Sequence, residues 1–149
     1  MFKYRLTGSG WAVCELEFES KKYSFGAGYL TDAFGNFLQA LLNINPLYTE
    51  ECYIESGSSF FWDDEPAGTE WNFQYLGNDR MLLSATTYDD ISHLENPKVE
   101  LETELSYEKF LIEVINESEL LLKEFGIVGY KEMWVEHDFP LSTYLKLKY

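Results

Sequence analysis

The chain has 149 residues, the size of a single domain, and its 46% hydrophobic and 17% aromatic content excludes a disordered acidic tail. Asp and Glu number 26 against 11 Lys and Arg, and the net charge of −15 repels nucleic acid and anionic membranes while attracting basic partners. Two cysteines, Cys14 and Cys52, are too few for a disulfide framework and lack metal-ligand spacing.

The opening reads as a three-stranded antiparallel meander. "FKYRLT" is its first strand, and "TGSGW" turns it into "WAVCELEFE". There Ala12, Cys14, Leu16 and Phe18 alternate with Glu15, Glu17 and Glu19, the pattern of a half-buried strand with an acidic outer face. Cys14 is thereby expected as a small buried hydrophobe. "SKK" then leads into "YSFGAGYL", where Tyr23, Phe25, Ala27 and Tyr29 share a face. No apolar run of signal-peptide type opens the chain, and none approaches the roughly 18 residues of a membrane span. A cytoplasmic, reduced protein is expected.

At "TDAFGNFLQALLNINP" the period changes. Phe34, Phe37, Leu38, Leu41 and Leu42 form a helical stripe, with Thr31 as the expected N-cap, Asp32 at the positive end of the helix dipole and Pro46 as the stop. Gly35 inside the stripe suggests close approach to the sheet. Short strand signals follow: "ECYIES", "SSFFW", "EWNFQYL" and, after the "GND" turn, "RMLLSATTY". "KVELETELS" alternates strictly, with Glu100, Glu102 and Glu104 opposite in phase to Val99, Leu101, Thr103 and Leu105. A second helix of about five turns is predicted from the N-cap Ser106 to the C-cap Gly126. Pro140 and the stripe Leu141, Tyr144, Leu145 predict a short terminal helix, while 127–139 takes no clear assignment. The sum is one α+β domain over 1–149, an antiparallel sheet of about six to eight strands with helices on one face. No helical pattern separates the strands between 47 and 105, which argues against a parallel sheet.

The charge is uneven. Residues 51–105 carry 13 acids against two bases, Arg80 and Lys98. Within them, "FFWDDEPAGTEW" sets Trp62 and Trp71 around Asp63, Asp64, Glu65 and Glu70. Pro66 and Gly68 make this a turn between aromatic strands. Adjacent carboxylates point to opposite faces of an extended chain, so no more than Asp63 and Glu65 can face one another as an acid/base pair. The Glu100–Glu102–Glu104 ridge and the Glu15–Glu17–Glu19 ridge would repel each other as matched neighbours. The two strands are therefore expected apart, or with lysines between them. Solubility alone would explain such a polar face, whereas a basic protein partner would use it.

Other chemistry finds little footing. The acidic run lacks a calcium-loop pattern, and His93 and His137 show no zinc spacing. Neither G-x-S-x-G nor a P-loop is present, since "FGAG" lies within a strand. In "HDFP", Asp138 could orient His137, but a helix N-terminus explains the same residues. No metal and no cofactor is implied.

Residues 11–90 resemble a recurring kind of small acidic bacterial protein that carries a "YLtDa" helix and a "W..EP.g..W" hairpin. The resemblance rests on Tyr29, Leu30, Asp32, Phe37, Leu38, Leu41, Trp62, Glu65, Pro66 and Trp71, with "EPAG" standing where a plain "EPG" is usual. Such proteins have no assigned activity; some similar ones are immunity partners of secreted toxins. The resemblance carries over no catalytic residue; the acidic, aromatic-bearing stretch 51–105 points to a non-enzymatic module that binds a basic protein, and the resemblance implies toxin immunity as its role. Its expected contact residues are Trp62, Asp63, Asp64, Glu65, Glu70, Trp71, Glu100, Glu102 and Glu104. A carboxylate-using hydrolase and a homo-oligomeric structural protein are the alternatives.

Overall fold

A computed structural model describes residues 1–135 and 137–149. The chain runs β1 (Phe2–Gly8), β2 (Trp11–Phe18), β3 (Lys21–Gly28), α1 (Ala33–Asn43), α2 (Glu51–Glu55), β4 (Ser58–Asp64), β5 (Ala67–Gly77), β6 (Arg80–Tyr88), β7 (Lys98–Ser106), α3 (Tyr107–Met133) and α4 (Leu141–Lys148). The α+β class and the opening meander are as expected. The strands do not make one sheet, however. They form two antiparallel meanders, β1-β2-β3 and β4-β5-β6-β7. The ladder breaks between β3 and β4, where the two edges approach each other closely without a ladder. A Cβ on Gly26 would lie 2.6 Å from the Asp64 carboxylate, and one on Gly28 would lie 3.3 Å from the Asp63 carbonyl.

Helix α1 holds the two sheets together. Ala33, Phe34, Phe37, Leu38, Ala40, Leu41 and Leu42 are all buried, so the helix is apolar nearly all round, as a core helix must be. Its Phe37 ring lies 5.1 Å from Phe2 of β1, 5.7 Å from Trp62 of β4, and 5.4 and 5.1 Å from Trp71 and Phe73 of β5. Phe25 of β3 meets Trp71 edge-on at 4.9 Å, a second bridge across the seam. Edge-to-face contacts of this kind add to the free energy of burial.

The N-cap of α1 is Asp32 and not Thr31. The Asp32 carboxylate accepts from the Gly35 N–H at 3.3 Å, and a Cβ at Gly35 would run into that carboxylate. Gly35 therefore makes room for the cap and not for the sheet. Burial pushes the Asp32 carboxyl above the ordinary aspartate range, against the opposing pull of His137. A carboxyl raised by folding contributes stability that is complete below its unfolded value and is lost as pH rises through its folded one. Replacing Asp32 by Asn, which caps as well, removes that loss. Wild type should thus lose ground to Asp32→Asn as pH rises above about 4 in urea unfolding. A stability difference independent of pH would refute the assignment.

"ECYIES" folds as the short helix α2 and not as a strand; only Ile54 of its five residues is buried. Ser106 does cap α3, accepting from the Lys109 N–H at 3.2 Å, and Asp79 reinforces the cap by accepting from the Glu108 N–H at 2.8 Å. The helical run does break at Gly126, which takes φ 69°, ψ 178°, a conformation open to glycine. It then resumes to Met133, so most of the unassigned tail is helical; Glu136 lies outside the described residues. Tyr144 and Leu147 of α4 are buried, while Leu141 and Leu145 of the expected stripe are exposed. Among the described residues no helix is long and apolar enough to cross a membrane.

Candidate functional site

The β4–β5 hairpin closes in two residues, since Asp64 pairs with Ala67. Alternation then decides which side chains turn inward. Phe60, Trp62, Trp71 and Phe73 are buried, and Phe61, Asn72 and Gln74 are exposed. Trp62 and Trp71, expected as anchors on the surface, are both 0% exposed. Their rings pack edge-to-face at 5.0 Å, and the Trp62 indole N–H donates to the Ala33 carbonyl at 2.9 Å. They belong to the core, and a partner cannot reach them.

The carboxylates stay outside. Glu65 is exposed at the tip beside Pro66, in a turn whose Glu65–Pro66 peptide is cis. Asp63 and Asp64 are half-buried. Burial raises the Asp63 carboxyl, and the neighbouring charges of Glu65 and Asp64 add to this. The β6–β7 connection folds over the same end of the sheet. The Ile91 N–H donates to the Pro66 carbonyl at 2.9 Å, and the Ile91 side chain covers Gly68, where a Cβ would come within 2.6 Å. Asp90 bridges to Glu95, and the Asp89 N–H donates to the Glu95 carbonyl. His93 lies 3.0 Å from the Asp90 carboxylate and lowers its pKa. The tip and this connection thus bring Asp63, Asp64, Glu65, Asp89, Asp90 and Glu95 to one end of the four-stranded sheet. Asp89, Asp90 and Glu95 carried no pattern of their own in the sequence; the signal that could have found them was the absence of any lysine or arginine from 81 to 97.

On the strands that lead from that end, several carboxylates have partners of their own. Glu70 accepts from the Tyr88 hydroxyl at 2.8 Å. Glu100 pairs with Lys98 at 3.3 Å, and Glu104 with Arg80 at 3.2 Å. Glu102, opposite Ser84, has no cationic partner among the described residues. On β2, Glu15 lies opposite Lys3 and Glu17 opposite Lys22, so lysines do intervene there. The two glutamate ridges also sit in different sheets, as like-charge repulsion requires.

A separate cavity lies elsewhere. It is an open groove of about 690 Å³ between the α1–α2 loop and α4, lined by Leu47, Tyr48, Tyr107, Leu145 and Lys146 among others. Its acids are Asp79 and Glu108, and Asp79 is committed to capping α3, which lowers its pKa. Neither carboxylate with a raised pKa, Asp32 or Asp63, lines it. No metal-holding group of three or more His, Cys, Asp or Glu occurs among the described residues. No family model matches the chain, and no curated protein or solved structure shows significant similarity to it.

Proposed function

We propose that this chain is a non-enzymatic binding module for a basic protein. The observation that carries this reading is the concentration of carboxylates at the β4–β5 tip and the β6–β7 connection, six of them against His93 within those segments and Lys98 at their border. Several unpaired carboxylates held on a fixed frame produce a directional field, which steers a cationic surface into register and raises the association rate. The resemblance to small acidic bacterial proteins suggests the class of partner: a basic secreted toxin, with this chain as its immunity partner. Glu65, Asp89, Glu95 and Glu102 would meet Lys or Arg of that partner. Trp62 and Trp71 would act indirectly, as the rigid floor beneath the hairpin.

The test is affinity capture on the immobilised chain at about 0.02 M and about 0.5 M salt, salt screening being strong at the higher value. A protein of high pI is expected at low salt and in smaller amount at high salt. Association measured with it should slow at least roughly tenfold across that range. Capture of acidic or neutral proteins only, or a rate indifferent to salt, would refute the reading.

A further inference from the structure

Two sheets have four outer edges, and each exposes main-chain groups that need partners. Three of the four are covered along at least part of their length. Helix α3 lies along β1, where the Glu117 carboxylate accepts from the Tyr4 N–H at 3.1 Å. The end of β3 and the end of β4 close on each other at Gly26, Gly28, Asp63 and Asp64. The fourth edge, that of β7, is different. Among the described residues, the only hydrogen bond to its main chain outside the β6–β7 ladder comes from the Thr87 hydroxyl on β6, to the Lys98 carbonyl. Nothing pairs with its outer side.

The β7 edge is built to be selective. Its first part is interrupted by a register shift opposite Ala85 and Thr86, while Leu101 to Ser106 pairs regularly with β6. Bulges blunt an edge, so the regular stretch of about 20 Å is the part that can still template a strand. Along it Glu102 and Glu104 point to the open face of the sheet, with Glu100 just before them. Two copies joined through antiparallel β7 edges would bring the glutamates of both into one row, and like charges across a ladder are destabilising. The same row favours a strand with Lys or Arg at every second position.

We infer that the β7 edge is a strand-addition site, at which an extended segment of a basic protein with alternating cationic side chains becomes the fifth strand of the β4–β7 sheet. This rests on the basic-partner reading above and gives it a mode. Main-chain hydrogen bonds along Leu101–Leu105 supply register, and the glutamates select the sign of the side chains. The acidic end of the sheet then acts as the region of first encounter, beside the point where the strand docks.

The test uses two synthetic nine-residue peptides of alternating lysine and valine. One has free amides; the other is N-methylated at consecutive central positions, so that neither of its edges can enter a ladder. Binding to the full chain at low salt is measured by titration calorimetry, and main-chain protection by NMR-detected hydrogen exchange. The free-amide peptide is expected to slow exchange of alternate amides within 101–105 and to bind about tenfold or more tightly than the methylated one. Glu102→Lys is expected to weaken it about tenfold while leaving the unfolding midpoint close to wild type. If both peptides bind alike, or protection falls outside β7, strand addition is refuted while the basic-partner reading stands. If neither binds, both fall. Protection of 101–105 without any peptide, together with a dimer in sedimentation, would assign the edge to a second copy and overturn the inference.

Discussion

Phe37→Ala is expected to lower the free energy of unfolding by about 3–5 kcal/mol, since a fully buried phenylalanine leaves a cavity that rigid neighbours cannot close. The neighbours are rigid because they are rings fixed on three different elements. Phe2 belongs to β1, Phe60 and Trp62 to β4, Trp71 and Phe73 to β5, and all lie within 5.1–5.8 Å of the Phe37 ring. Because no hydrogen-bonded ladder joins β3 to β4, this packing carries much of the cohesion between the two sheets. A domain is commonly stable by only about 5–15 kcal/mol, so one truncation would consume a large share of the margin. Phe37→Leu, which keeps most of the volume, is expected to cost about half as much or less. Urea unfolding followed by tryptophan fluorescence reads both, as Trp62 and Trp71 sit in the same cluster. A loss below about 1 kcal/mol for Phe37→Ala would mean that the sheets are held together by something else.

Much of this fold is written in local pattern. The alternation in "WAVCELEFE", the stripe of α1 and the Ser106 cap each follow from rules that act over a few residues, and each appears in the structure. In "KVELETELS" the alternation holds from Leu101 onward, but a register shift at Glu100 turns Val99, expected inside, out to 60% exposure. The break between β3 and β4 is another matter. It depends on what lies beside Gly26 and Gly28, and their neighbours come from more than 30 residues away. "ECYIES" is too short for its period to decide between helix and strand. Gly126 does end one helical stretch, but Tyr130 and Trp134 bury against the core and carry the helix on, so tertiary contact overrides the stop signal. The two tryptophans of the hairpin are the instructive case. Phe60 and Trp62 alternate with Phe61 and Asp63, and that period alone assigns Trp62 to the buried side. Reading the stretch as an aromatic epitope set composition above period, and the structure follows the period.

The candidate site divides along the same line. Glu102 and its neighbours on β7 were visible as a ridge, because alternation fixes which face they occupy. The pairing of Glu104 with Arg80 was not, because it depends on which strands are neighbours. The convergence of the hairpin tip with the β6–β7 connection arises from the β5–β6 register, which sets Gly68 opposite Tyr88, and from the contacts of Ile91 with Pro66 and Gly68, none of which a local pattern encodes. Charge counted along the chain thus located the acidic region correctly and said nothing about its shape.

Edges explain one further residue. Glu117 is almost fully buried on α3, and it takes both the Tyr4 N–H of β1 and the Arg5 guanidinium, the latter at 2.6 Å. Glu117→Ala would leave the Tyr4 N–H without an acceptor in a dry site and open a small cavity, an expected cost of about 2–4 kcal/mol. Arg5→Ala should cost less, about 1 kcal/mol, because the arginine is 44% exposed and water can replace it. The unequal pair is the signature of a carboxylate whose main task is to seal a strand edge, with the arginine as its counter-charge. Urea midpoints of the two single variants and the double variant measure this directly. Equal losses, or a double variant no worse than Arg5→Ala, would make the ion pair the principal contact. The β1 edge would then owe its closure to the packing of α3 alone, and the contrast with the open edge of β7 would rest on cover and not on hydrogen bonding.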